Sequence, residues 1–226
     1  MNNKLLEYLL SYLTPQRQEL FEKVINKRTR HLTVVLEDIY QKQNASAVLR
    51  TCDCFGIQDV HIIEDRNEFQ VNREIAMGAS KWLSLHKYNN KENNALDAIQ
   101  TLKKQGYRIV ATTPHNNDLE LQDFDIAKGK TALVFGSELP GITETIMQEA
   151  DEFLKIPMYG FTESFNISVS AAIILHHLTM KMRDSKDLHW QLSNDEKDEL
   201  KMEWIRKTIK RSELIEKRFW EENKKK

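Results

Sequence analysis

The chain has 226 residues, 40% of them hydrophobic, which is enough to bury a substantial core in one domain with extensions at its ends. Its 33 Lys and Arg against 34 Asp and Glu give a formal charge of −1, excluding a uniformly basic nucleic-acid binder while leaving room for a local basic patch. Cys52 and Cys54 are the only cysteines, and their C-x-C spacing on a helix points the thiols to different faces, so neither a disulfide framework nor a zinc site is expected. With no apolar run long enough to span a bilayer and no leader pattern, a soluble cytoplasmic protein without a membrane partner is expected.

Residues 5–30 read as helix with a polar break near Thr14 and Pro15, and the second part carries Lys27, Arg28 and Arg30 towards its end. From His31 the texture changes. Short Val- and Ile-rich runs at 31–36, 60–63, 108–112, 131–135 and 153–156 predict strands of a mostly parallel sheet. Helical patterns at 46–55, 93–105, 142–150 and 167–183 lie between them, and this alternation predicts an α/β fold with helices on both faces. The last of these helices, with Val169, Ala171, Ala172, Ile173, Ile174 and Leu175, is apolar nearly all round and is expected to be buried in a core or between subunits.

Beyond Arg183 the chain becomes strongly charged. Ser193-Asn194-Asp195-Glu196 reads as a helix start, and Trp204, Ile205, Ile209 and Leu214 recur at helical spacing. One helix is predicted there, with Arg206, Lys207, Lys210 and Arg211 grouped on one side. The expected organisation is a helical extension over 1–30, a core over 31–183 and a charged helical extension over 184–226.

Seven glycines cannot be assembled into G-x-G-x-x-G, which excludes the Rossmann fingerprint and the glycine-rich first loop of the common methyltransferase fold. The segment from Gly136 to Thr143 follows a strand and has the glycine spacing of a phosphate-binding loop. Ile142 stands where that loop needs lysine, and Glu138 puts a carboxylate where phosphates would sit, so the loop suits a ligand with a positive centre better. Two further segments carry candidate chemistry. Asn44 is a natural cap for a helix that includes Arg50, and Ser164 and Asn166 stand at the mouth of the apolar helix, where free N–H groups need side-chain oxygens.

Taken together, Asn44 to Asp53, Leu133 to Thr143 and Ile156 to Ala172 resemble the three motifs of the SpoU branch of the SPOUT RNA methyltransferases. The resemblance covers about His31 to Arg183, with the motifs in the family's order. It implies a C-terminal trefoil knot, an exception to the rule that chains are unknotted. It also implies S-adenosylmethionine as cofactor, S-adenosylhomocysteine as product, no metal, and a homodimer. On the matching positions it assigns Asn44, Arg50, Glu138, Ser164 and Asn166 to catalysis, and Thr112, Thr113, Gly136, Gly141, Ile156, Met158 and Phe165 to the cofactor. Phe165 stands where the family usually has leucine.

The short helices at both ends resemble those of the members that methylate the D-loop guanosine at position 18 of tRNA. That resemblance makes tRNA the expected partner, with Lys27, Arg28, Arg30, Arg206, Lys207, Lys210 and Arg211 holding phosphates. The alternatives are a 2′-O-methyltransferase acting on ribosomal RNA or another tRNA ribose, and, from another class, a non-catalytic knotted RNA-binding protein.

Overall fold

A computed structural model of the chain describes residues 3–114, 119–137 and 141–223. They form two compact units, one spanning Thr29–Trp190 and one that brings the segment ending at Arg28 together with the segment beginning at Gln191.

The larger unit is built on a seven-stranded sheet. Its strands are β1 (Leu32–Glu37), β2 (Asp59–Ile63), β3 (Ser84–Tyr88), β4 (Arg108–Thr112), β5 (Leu119–Glu120), β6 (Thr131–Phe135) and β7 (Glu152–Lys155), in the order β3-β2-β1-β6-β4-β7-β5. Every neighbouring pair is parallel, with Val34 opposite both Val60 and Leu133 in the central register. The smaller unit opens with α1 (Asn3–Leu10) and α2 (Pro15–Ile25), and the larger unit's helices are α3 (Lys42–Phe55), α4 (Arg73–Ala76), α5 (Asn94–Lys104), α6 (Glu144–Glu149) and α7 (Ile167–Asp184).

Parallel strands covered on both faces read as continuous apolar runs because both sets of alternating side chains are buried. Val34, Leu36, Ile62, Leu133 and Phe135 point to the face where Val48, Leu49, Ile174 and Leu178 of α3 and α7 pack. Val35, Ile63, Ala132 and Val134 point to the other face, against Ala98, Ile99 and Leu102 of α5 and Ile146 of α6.

The central strands β4 and β6 fall where the sequence places them, and β1, β2 and β7 differ by a residue at their ends. The edge strands β3 and β5 escape a search for apolar runs. Ser84-Leu85-His86-Lys87-Tyr88 is partly exposed along its length, and β5 is two residues long. Helix α3 begins before Asn44, so that residue does not cap it; Gln41 holds the cap position, and Asn44 lies within the first turn, 7% exposed. Helix α7 starts as expected, with Asn166 accepting from the Ser168 amide. It follows β7 yet packs on α3, which follows β1 at the centre of the sheet. Within one chain it is not covered all round, since Val169 and Met180 remain exposed in line with half-buried Ile173.

In the smaller unit α1 and α2 are joined by α8 (Asn194–Thr208) and α9 (Ser212–Asn223). Ser193 and Glu196 form a reciprocal capping box at the start of α8. Phe21 meets Trp204 edge-on at 5.5 Å, and Tyr8 lies 5.0 Å from Phe219. The single C-terminal helix predicted from the sequence is two helices, broken where Ile209 turns extended and Arg211 adopts φ +59°. The break removes the single basic face that one continuous helix would have presented.

Several of the basic residues assigned to RNA are engaged elsewhere, among them Arg28 and Arg206. Arg28 is 2% exposed, with its guanidinium over the Trp204 ring at 5.4 Å, so it cannot present its charge to a phosphate. Arg206 forks onto Glu216 through Nε and Nη2 at 2.7 and 2.9 Å. Arg28→Ala is expected to lower stability by about 2 kcal/mol, the value of a desolvated cation–π contact, while leaving RNA affinity intact where the protein is folded. Urea unfolding and RNA titration of the same variant check this; unchanged stability with weakened RNA binding contradicts it.

Candidate active site

In open parallel sheets, ligands sit outside the carboxyl ends of the strands. Here the ends of β4, β6 and β7 open onto a cavity of about 870 Å³, within the size range of small-molecule sites. Thr112 and Thr113 leave β4, Gly136 leaves β6, and Ile156 and Met158 leave β7; with Gly141 and Phe165 all of them line this cavity. Ser164 and Asn166 line it too. The Thr112 hydroxyl donates to the Val134 carbonyl at 2.8 Å, and the Thr113 amide to that of Leu154 at 3.0 Å, fixing the rim to its neighbouring strands.

The loop leaving β6 turns back on itself. A Cβ at Gly136 would lie 2.4 Å from the Gly141 carbonyl carbon and 2.5 Å from the Ile142 nitrogen, so only glycine permits the two limbs to touch. Gly141 holds φ +88°, a conformation that again favours glycine. Glu138 lies outside the described residues.

The return limb is anchored to β1. Glu37 is 1% exposed, and both its oxygens are engaged by Thr143, through the backbone N–H at 2.9 Å and the hydroxyl at 2.5 Å. Thr143 occupies the cap position of α6, so this clamp fixes both the loop and the helix start. Burial pushes the Glu37 carboxyl above its usual range, opposed by the two bonds from Thr143.

A second joint links the first and third motifs. Asn166 Nδ2 donates to Asn44 Oδ1 at 3.1 Å, and Asn44 Nδ2 donates to Gln41 Oε1 at 3.0 Å. Arg50, on the same helix as Asn44, is exposed and lines neither this cavity nor the neighbouring one. No hydrogen bond or ion pair joins its side chain to a described residue.

The neighbouring cavity, about 400 Å³, shares Ser137, Gly141 and Ile167 with the first and is otherwise lined by Glu37, Asp38, Tyr40, Asn44, Arg66 and Asn67 among others. The sequence reading missed most of this wall. The available signal was the carboxylate pair Glu37-Asp38 ending an apolar strand. Glu144 and Met147 of α6 also line the larger cavity without having been singled out. Among the described residues no group of three or more His, Cys, Asp or Glu is placed to hold a metal ion, and no helix is long and apolar enough to cross a membrane.

Residues 31–176 match the model of the SpoU rRNA methylase family. The chain belongs to that family. It is 42% identical over 208 residues to a tRNA (guanosine(18)-2′-O)-methyltransferase of Borreliella burgdorferi, covering 92% of this chain and 93% of the relative. A protein of the same name from Thermus thermophilus is 34% identical over 162 residues, 72% of this chain and 81% of that one. The solved structure of the Aquifex aeolicus TrmH/SpoU tRNA-modifying enzyme superposes with a TM-score of 0.76 at 28% identity, covering 86% of this chain and 98% of that one. The fold is shared with the SpoU methyltransferase AviRb from Streptomyces viridochromogenes in complex with AdoMet, at a TM-score of 0.56 and 19% identity over 73% of this chain and 62% of that one.

The Glu37 clamp has a pH signature in this SpoU-family chain. A carboxyl whose folded pKa is raised keeps its proton to higher pH in the folded state than in the unfolded one. Its contribution is therefore greatest below the unfolded pKa of about 4.3 and is lost as pH rises through the folded pKa. The stability of the wild type relative to Glu37→Gln is expected to fall between pH 4 and neutrality. Urea unfolding of both proteins across that range measures it; a difference independent of pH contradicts the assignment.

Proposed function

We propose that this chain transfers a methyl group from S-adenosylmethionine to the ribose 2′-hydroxyl of guanosine 18 in the D-loop of tRNA, releasing S-adenosylhomocysteine. The observation that carries the reading is convergence. Residues of three segments far apart in sequence, Asn44, then Gly136, Ser137, Gly141 and Thr143, then Ile156, Ser164 and Asn166, border two adjoining cavities at the carboxyl ends of the strands. The names borne by the relatives supply the target nucleotide and its tRNA.

Thr112, Thr113, Gly136, Gly141, Ile156, Met158 and Phe165 would hold the cofactor. Apolar walls interrupted by backbone donors and acceptors suit a flat heteroaromatic base, which needs dispersion contact and a few fixed hydrogen bonds. The sulfonium, when bound, supplies a methyl group already activated for displacement, and the residues need no metal for it. Their task is to orient the attacking hydroxyl and stabilise the charge that grows on it.

Arg50 carries the second task. A guanidinium with a pKa above about 12 does not act as a base near neutrality, so its role is to stabilise developing negative charge or to grip an adjacent phosphate. Its exposure and its absence from the lining of both cavities of its own chain support action in a partner's site. The stripe of Val169, Ile173 and Met180 on α7, together with the exposed rings of Tyr159 and Phe161, supports a homodimer that would cover them. Asn44, held against Asn166, would then fix α3 relative to the loop, with Glu138 and Ser164 completing the site.

The C-terminal knot belongs to the same reading, supported by the return of the chain from β7 to α3. Exposed Lys27, Lys210 and Arg211 would meet tRNA phosphates, as would exposed Lys207 and Arg206 on exchanging their carboxylate partners Glu203 and Glu216, whereas Arg28 and Arg30 are withdrawn to structural roles. Arg30 is withdrawn because its Nε pairs with Asp59 at 2.9 Å. A cytoplasmic location fits this substrate.

Labelled methyl transfer to unmodified tRNA, followed by mapping of the modified nucleotide, tests the reading directly. Guanosine 18 is the expected product, and modification at another nucleotide or none overturns it. Arg50→Ala is expected to cut kcat by about 10²–10³-fold, as for loss of one transition-state donor, with cofactor affinity unchanged. Mixed dimers of Arg50→Ala with a Gly136→Ala subunit should regain one working site if Arg50 acts across the dimer; folded heterodimers without recovery place it within its own subunit.

A further inference from the structure

The smaller cavity is lined by a carboxylate that the described residues engage through only one of its oxygens. Asp38 follows β1 at φ +51°, a left-handed conformation that costs a non-glycine residue, and it is 6% exposed. Its Oδ1 accepts the backbone N–H groups of Asp65, Arg66 and Asn67 at 2.9, 2.8 and 3.2 Å. Asn67 Nδ2 also donates to its carbonyl at 3.2 Å. Oδ2 accepts no hydrogen bond from any described residue. The contrast with Glu37 next to it is informative, since Thr143 engages both of that residue's oxygens. Asp38 lines the cavity, and its Oδ2 is not among the buried polar atoms that lack a partner, so a ligand bringing N–H groups there would meet a carboxylate already fixed in place through its other oxygen.

From this geometry we infer that Asp38 selects the target base, its Oδ2 accepting the adjacent N1–H and N2–H₂ donors of a guanine extruded into the smaller cavity. This rests on the methyl-transfer reading above and names the residue that gives it base specificity. Guanine alone among the four bases presents two neighbouring N–H donors on its Watson–Crick edge. Adenine and cytosine offer a bare ring nitrogen at the central position, and uracil flanks its single N–H with two carbonyls. Enzymes acting on extruded nucleotides read them on this edge and stack the base on side chains. Tyr40, 79% exposed on the same wall, provides the ring, and Arg66, also exposed there, provides a cation for the flanking phosphate. Ser137, Gly141 and Ile167 are common to both cavities, so a base held here lies next to the cofactor's cavity.

Asp38→Asn separates base selection from loop anchoring. The retained carbonyl oxygen faces the three backbone N–H groups, asparagine tolerates the left-handed conformation, and the amide N–H₂ replaces Oδ2 and repels the guanine donors. The assay uses full-length tRNA transcripts carrying guanosine or inosine at position 18, because inosine lacks only the 2-amino group. Wild-type kcat/KM is expected to favour guanosine over inosine by about tenfold or more, the value of one hydrogen bond to a charged acceptor. In Asp38→Asn, kcat/KM for guanosine should drop by about 10–100-fold and the guanosine preference should vanish, with cofactor affinity and melting temperature unchanged. Wild-type kcat/KM together with an undiminished guanosine preference in the Asp38→Asn variant would assign Asp38 to the loop alone and overturn the inference. Equal losses on both transcripts accompanied by a lower melting temperature would do the same. A wild-type protein that methylates no tRNA would overturn the underlying reading as well, and is told apart by that result.

Discussion

The contact between the backbones of Gly136 and Gly141 is the constraint on which the site depends. The two limbs of the loop leaving β6 lie so close that one methyl group at residue 136 would collide with carbonyl carbon, oxygen and nitrogen at once. Backbone on both sides leaves no flexible side chain to yield, so accommodating the methyl means separating the limbs. Gly136 and Gly141 line the large cavity, and Gly141 lines the smaller one too. The folded-back loop therefore gives both cavities part of their shape.

A loop pressed together in this way needs an anchor at its far end, and Glu37 provides one. The clamp places a carboxylate in the core and turns both its oxygens to one threonine. Removing water from Glu37 is unfavourable, which pushes its carboxyl above the usual range, yet the arrangement ties β1 to α6 across the mouth of the sheet. On the opposite side the Asn44–Asn166 contact ties α3 to the start of α7. Loop shape, clamp and amide joint are separate pieces of chemistry that define the same small volume. A shift in any of them would misplace groups whose work depends on sub-ångström placement.

Legibility in the sequence followed burial. Strands β4 and β6, flanked on both sides, could be read from Ile109-Val110-Ala111 and Ala132-Leu133-Val134 because their surroundings demand apolar residues throughout. The edge strand β3 has one neighbour and open sides, so His86 and Lys87 are tolerated and the pattern disappears. No glycine or proline marks the break between α8 and α9; Arg211 takes the left-handed turn, and the helical spacing of Ile209 and Leu214 continues through it misleadingly. Arg28 looks like a surface cation until Trp204 arrives from the other end of the chain to cover it. Motif order pointed to the wall of the larger cavity, whereas at Asp38 the sequence offers only a carboxylate pair at the end of a strand; that the described residues engage just one of its oxygens is something no spacing reveals.

The central claim is that the cavity bordered by the folded-back loop holds S-adenosylmethionine and the smaller one beside it holds the nucleotide to be methylated. A crystal structure of the protein with S-adenosylhomocysteine and a D-arm RNA tests both halves at once. The expected result is the homocysteine compound between the Gly136–Gly141 loop and Met158, with the target guanine on the Tyr40 and Asp38 side of Ser137. Cofactor density elsewhere, or a target base that stays outside the smaller cavity while the cofactor is bound, would contradict the account.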